Sequence, residues 1–160
     1  MKDYPNINFQ ITTNGFLFDE EYFSLFNDIK NNLEITISLD GREQGNLNRC
    51  SEEQTKKIIS NVKYLIKNNF NINLFTCINN QNKNYLFEDL KYFIEVLKIQ
   101  DIDLFFVGCG NMNYNSCDLS LGEKKKILKE IFPLCQKYSN IINTKNDYFI
   151  NAYFKQLDYN

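Results

Sequence analysis

Histidine is missing from all 160 residues, which removes the commonest side-chain base near neutral pH and the commonest nitrogen ligand for metals. Any chemistry has to use other groups. No apolar run approaches the roughly 18 residues that a membrane helix needs, and the opening Met-Lys-Asp-Tyr-Pro holds no signal-peptide hydrophobic region. A soluble cytoplasmic protein with no membrane partner is expected. A basic excess is missing too: 18 Lys+Arg stand against 20 Asp+Glu, a net charge of -2, so nucleic acid is not implied as a partner. The five cysteines, Cys50, Cys77, Cys109, Cys117 and Cys135, form neither CxxC nor CxxxCxxC. Reduced thiols serving as apolar filler are expected, and a metal site from these five alone is not.

What is present suffices for a core. Hydrophobic residues make up 43% of the chain and aromatic ones 15%, with 14 Phe and 10 Tyr, enough apolar surface to offset chain entropy. The length suits one domain, taken to run over 1–160. Asparagine occurs 25 times, a bias that carries no functional reading. No low-complexity tract or linker divides the chain.

Apolar spacing alternates between period two and period 3.6. Ile7, Phe9 and Ile11 alternate with polar residues and stop at Asn14-Gly15, a strand ending in a turn. Asp19 can cap a helix with the stripe Tyr22, Leu25, Phe26 and Ile29. Leu33, Ile35, Ile37 and Leu39 form a second strand ending at Gly41. Ser51 and Gln54 have the spacing of a capping box ahead of Ile58, Val62 and Leu65. A strand near 72–78, a helix with Leu86, Leu90, Phe93, Ile94 and Leu97, and a strand over 102–107 follow. After a loop over 108–120 comes a helix with Ile127, Ile131 and Leu134, which Pro133 should kink or split. A short apolar step at Ile141-Ile142 and a last helix with Ile150, Phe154 and Leu157 end the pattern. Such βα units are long enough for right-handed crossovers, so the class is α/β with parallel strands in sequential order.

A parallel sheet covered on both faces reads as continuous apolar runs. Here Gln10, Thr12 and Asn14 on one strand, and Glu34, Thr36, Ser38 and Asp40 on the next, make one face polar. Helices on the outer face only, around an open barrel or part-barrel with a polar lumen, account for this. In such barrels reactive groups lie at the strand C-terminal ends, here Thr13-Asn14-Gly15, Ser38-Leu39-Asp40-Gly41 and Phe106-Val107.

Ile-Thr-Thr-Asn-Gly-Phe-Leu-Phe before an acidic helix start, followed by Ile-Ser-Leu-Asp-Gly at the next strand end, resembles the middle of radical S-adenosylmethionine (SAM) enzymes. The peptide-modifying and sulfatase-maturing branch is the nearest, and Asn79 to Asn82 at the third strand end look like that branch as well. The resemblance covers nearly the whole chain. It implies a TIM-like partial barrel in which a [4Fe-4S] cluster cleaves SAM reductively to a 5'-deoxyadenosyl radical, with a peptide or protein as substrate. It also implies that Ser38 and Arg49 contact the ribose and carboxylate of SAM, for which a hydroxyl and a guanidinium fork are suited. Thr13 and Asn14 would lie at the lumen's mouth as SAM or substrate contacts, although Asn-Gly is also a turn former in its own right. Asp40 would touch the cofactor or shape its loop, and Val107 would offer its strand end to adenine.

The family's His-Asp-x-x-Arg segment corresponds here to Gly45-Asn46-Leu47-Asn48-Arg49, and its CxxxCxxC and Gly-Gly-Glu motifs have no counterpart. The expectation is therefore a fragment truncated at both ends, lacking cluster ligands and inactive in isolation. The alternatives are a non-catalytic half-barrel that binds a small molecule or a complementing chain, and an unrelated α/β binding domain. Lys124-Lys125-Lys126 reads as a solvated helix face. The seven-residue spacer between Cys109 and Cys117 fits no metal signature.

Overall fold

A computed structural model describes residues 7–107 and 119–158. Five strands, β1 (Phe9–Thr13), β2 (Leu33–Ser38), β3 (Asn71–Ile78), β4 (Ile102–Phe106) and β5 (Ile142–Asn143), alternate with five helices. These are α1 (Glu20–Asn27), α2 (Glu52–Lys67), α3 (Leu86–Glu95), α4 (Leu121–Lys137) and α5 (Tyr148–Asp158). All neighbouring strands pair in parallel, and the sheet order is β1-β2-β3-β4-β5. The sheet is open, with β1 and β5 as its edges. The helices begin where local chemistry allows. Asp19 Oδ1 accepts from the main-chain N–H of Glu21 and Tyr22 at 3.1 and 3.2 Å, and Ser51 with Gln54 closes a capping box at α2. Ser120 and Glu123 close a second box at α4. Pro133 sits inside α4 without splitting it, because the lost bond falls within the last turns, where little helix remains to propagate.

Register decides which residues share a face. Ile35 pairs with Ile72, Ile37 with Leu74, and Leu74 with Ile102. These side chains are buried and join Ile58, Val62, Leu65, Leu90, Phe93, Leu128 and Ile131 from the helices in one core. Each such side chain contributes about 1.5–3 kcal/mol by leaving water. The other face stays outside that core. It carries Gln10 beside Glu34, Thr12 beside Thr36, Ser38 beside Phe75, and Cys77 beside Phe105. Polar bonds run across it, from Gln10 to Glu34 at 2.8 Å and from Asn73 and Asn143 to Asp103 at 2.9 and 2.8 Å. Phe75 and Phe105 stack there at 4.4 Å. The one-sided polarity read from alternation is thus present in three dimensions. Because every strand runs the same way, the segments after β1, β2 and β3 and the end of β4 at Val107 gather at one end of the sheet. The cysteine loop with Cys109 and Cys117 lies outside the described residues.

Candidate functional site

At that end, Asp40 is the hub. Its side chain is only 3% exposed, and a carboxylate so buried needs donors around it. Oδ1 accepts from the main-chain N–H of Cys77 at 2.9 Å and meets Arg49 Nε at 2.8 Å, while Oδ2 accepts from Asn79 Nδ2 at 3.3 Å. The Asp40 main-chain N–H donates to Asn46 Oδ1 at 3.0 Å, and its carbonyl accepts from Asn82 Nδ2 at 2.8 Å. Burial raises the Asp40 pKa above the ordinary value of 3.8, with the Arg49 charge and the Cys77 N–H opposing. The carboxylate therefore ties together the β2 end, the β3 end and the following loop. Asp40 is a positioning group here.

Arg49 remains 32% exposed at its side chain while bound to Asp40 through Nε. A guanidinium held by its inner nitrogen still carries an outer pair of nitrogens in the fork geometry that suits a carboxylate. Ser38, half-buried at the end of β2, shares the polar face with Phe75, and its hydroxyl makes no hydrogen bond among the described residues. Val107 extends β4, its N–H donating to the Ile78 carbonyl at 3.1 Å. Ser38, Asp40 and Arg49 thus belong to the end of β2 and the loop that follows it, and Val107 to the same end of β4, with β3 between them.

Thr13 and Asn14 are engaged differently. Thr13 Oγ1 accepts from Gly15 N–H and Asn14 Oδ1 from Phe16 N–H, both at 3.1 Å. Thr13 is in register with the buried Ile37, on the core side of β1, so the turn chemistry of this pair is what the geometry displays. Gly15 has φ 72°, and an added Cβ would lie 3.2 Å from Ile37 Cγ2, so the turn needs glycine on both counts. Buried Asn61 of α2 holds this turn by donating to the Gly15 carbonyl at 2.8 Å.

Three buried polar residues escaped sequence reasoning. Asn46 sits where the family pattern has Asp and links the Asp40 N–H to Thr55 Oγ1, the latter at 3.1 Å. Asn61 and Asp89 both fall on the apolar stripes of their helices, Asn61 one turn from Ile58 and Leu65, Asp89 one turn from Leu86 and Phe93. A polar residue on a buried stripe is the available signal, since it demands a partner.

The described residues do not fit an iron-sulfur cluster. Among them, no three His, Cys, Asp or Glu side chains gather for a metal. Cys50 lies before α2, Cys77 in β3 and Cys135 in α4. Of these, Cys135 alone is buried, and burial pushes its thiol up to about 12, away from the thiolate that iron requires. Cys50 is instead a half-buried partner of Asn46 and Thr55, each at 3.4 Å, which departs from simple apolar filling.

Solved structures share this arrangement of strands and helices. Native anSMEcpe, a radical SAM sulfatase-maturating enzyme captured with bound AdoMet and the Cp18Cys peptide, superposes with a TM-score of 0.68 at 20% identity. The fold is that of radical SAM enzymes. The match covers 88% of this chain and 42% of anSMEcpe. Streptococcus suis SuiB, a radical SAM peptide modifier solved with bound S-adenosylmethionine, gives a TM-score of 0.63 at 15% identity, over 84% of this chain and 31% of SuiB. The chain thus spans less than half the length of these radical SAM proteins, and at such identities the likeness is one of fold. No protein-family model matches the sequence, and no curated protein matches it. Among the described residues no helix is long and apolar enough to cross a membrane.

Proposed function

We propose that this chain forms the central part of a radical SAM enzyme and contributes a SAM-binding surface at the C-terminal end of its sheet, with a peptide or protein as the substrate. The observation that carries this reading is Arg49 anchored by Asp40 in the loop that follows Ser38, at the C-terminal end of the sheet. Arg49 takes the SAM carboxylate, Ser38 the ribose, and Val107 lends its strand end to the adenine. Thr13 and Asn14 shape the rim next to them, and Asp40 orients Arg49 from behind. The peptide substrate rests on the same fold and on neighbours solved with a peptide or described as peptide modifiers. In the family the [4Fe-4S] cluster supplies the electron that cleaves SAM; the described residues hold no ligand set for it.

Ligand-observed NMR of the 160-residue chain with SAM tests the surface. Without the contacts that a cluster iron provides, several polar interactions at about 1–3 kcal/mol each are lost, so affinity is expected in the millimolar range. Ser38→Ala and Arg49→Ala should each weaken it further by about tenfold. Saturation transfer that is absent from the parent chain, or unaltered by both substitutions, overturns the assignment.

A further inference from the structure

We infer that Asp89, on α3, is the positioning residue of the candidate SAM loop. Its buried carboxylate is the seat around which residues 41–45 are wound, and through them it sets where Arg49 stands. The consequence for SAM rests on the function proposed above; the seat itself does not.

Asp89 lies in the first turn of α3, between Leu86 and Phe93 on the buried stripe, and its side chain is 2% exposed. An ionised group there would be costly without strong donors. Arg42 supplies two. Its main-chain N–H donates to Oδ2 at 3.0 Å and its Nε to Oδ1 at 2.6 Å, so one residue occupies both carboxylate oxygens. The guanidinium also lies over the Tyr92 ring, 5.2 Å from its centroid. Burial raises the Asp89 pKa, and the bonds to Arg42 lower it.

The glycines on either side have no room for a side chain. A Cβ on Gly41 would stand 2.5 Å from Asp89 Oδ2 and 2.7 Å from the Gly45 Cα. One on Gly45 would press against the same Oδ2 and lie 3.0 Å from the Gly41 Cα. The loop doubles back on itself with a single carboxylate oxygen against both α-carbons. That contact explains why the Gly-x-x-x-Gly spacing is needed here, since only glycine permits such an approach.

From this seat hydrogen bonds lead onward to Arg49. The Arg42 carbonyl accepts from Asn46 N–H at 2.8 Å, and the Asn46 carbonyl accepts from Arg49 N–H at 2.9 Å. Asn46 meanwhile fixes the Asp40 N–H, and Asp40 fixes Arg49 Nε. Arg49 is therefore held from its main chain by a path beginning at α3 and from its side chain by Asp40, just past β2. An ordinary ion pair would add at most modest stability and leave the loop's path unaffected. A seat must change that path when lost.

The test uses the 160-residue chain and the variants Asp89→Asn and Gly45→Ala, with Ser120→Ala as a control that weakens the α4 cap elsewhere. Amide hydrogen exchange is read at Asn46 and Arg49, alongside thermal unfolding and SAM titration by ligand-observed NMR. D89N and G45A should accelerate exchange at both amides by about tenfold or more, and lower SAM affinity several-fold. S120A should lose stability while leaving both readouts unchanged. If D89N and G45A fail to fold, Arg42→Gln, at a half-exposed side chain, carries the same expectation. Unchanged exchange at Asn46 and Arg49 in a folded variant overturns the inference, even if SAM binds. Accelerated exchange in a chain whose parent form never binds SAM keeps the seat and removes the SAM reading.

Discussion

Asp40 and Asp89 are both pushed towards the protonated form by burial, although each has an arginine against it. A carboxyl whose folded pKa exceeds its unfolded one contributes stability below the unfolded value and loses that contribution as pH rises through the folded value. The Arg49 and Arg42 bonds offset the desolvation only in part. Asp40→Asn should therefore be most destabilising, relative to the parent, in acid, with the gap narrowing as pH rises above the ordinary 3.8 in denaturant titrations. A gap that widens with pH would mean that the Arg49 pairing outweighs burial. Glycine positions give a sharper contrast. Gly122, in the first turn of α4, has nothing within 4 Å of an added Cβ, so Gly122→Ala should be neutral or stabilising by up to about 1 kcal/mol. Gly45→Ala must displace the Asp89 carboxylate and should cost several times more by the same measurement. Neither outcome was legible in sequence, where nothing around Gly45 or Gly122 marks one as crowded and the other as open; the difference lies in a carboxylate contributed from far along the chain.

Helix starts were more legible, because a cap involves residues three apart. Asp19 and the Ser51–Gln54 box do what their spacing indicates. The Ser120–Glu123 box adds a partner that spacing cannot reveal. Glu123 Oε2 accepts from the Ser120 N–H at 2.9 Å and Oγ at 2.7 Å, and Oε1 meets Lys83 Nζ at 2.7 Å, joining the start of α4 to the segment before α3. These donors, Lys83 foremost, hold Glu123 down to about 2. Its folded pKa is depressed, so its contribution is present above the ordinary 4.5 and is lost as pH falls towards 2. Glu123→Gln should flatten the acid limb of a stability-versus-pH curve over that window; an unaltered limb would show that solvent screens the exposed pair. Ser120→Ala removes the cap and should cost about 1 kcal/mol in thermal unfolding.

Across the whole molecule, the strands and their order were readable because period-two runs and turn residues are local signals, and the polar face followed from alternation alone. The site was readable only at its strand ends. Two of Asp40's partners lie far along the chain, Cys77 37 residues and Asn79 39 residues away, and Arg42 lies 47 from Asp89. Periodicity has no access to such pairings. The open sheet also predicts a stability gradient. β2, β3 and β4 are flanked on both sides, whereas β1 and the two-residue β5 are edges. Native-state hydrogen exchange should find the slowest amides in the middle strands, with protection declining towards both edges; uniform protection would argue that the edges are covered in solution.

The order β1-β2-β3-β4-β5 means that each strand's earlier partner has already left the ribosome when the strand itself emerges. No strand must wait for a later one before it can join the growing edge, and each newly made helix can cover the apolar side just laid down. Each parallel pairing spans a whole βα unit and is therefore non-local and slow to form, but adding strands in sequence leaves little apolar surface exposed while the sheet is unfinished. Translation at about 5–20 residues per second then sets the pace, so a pause inside one βα unit would leave the preceding ones docked.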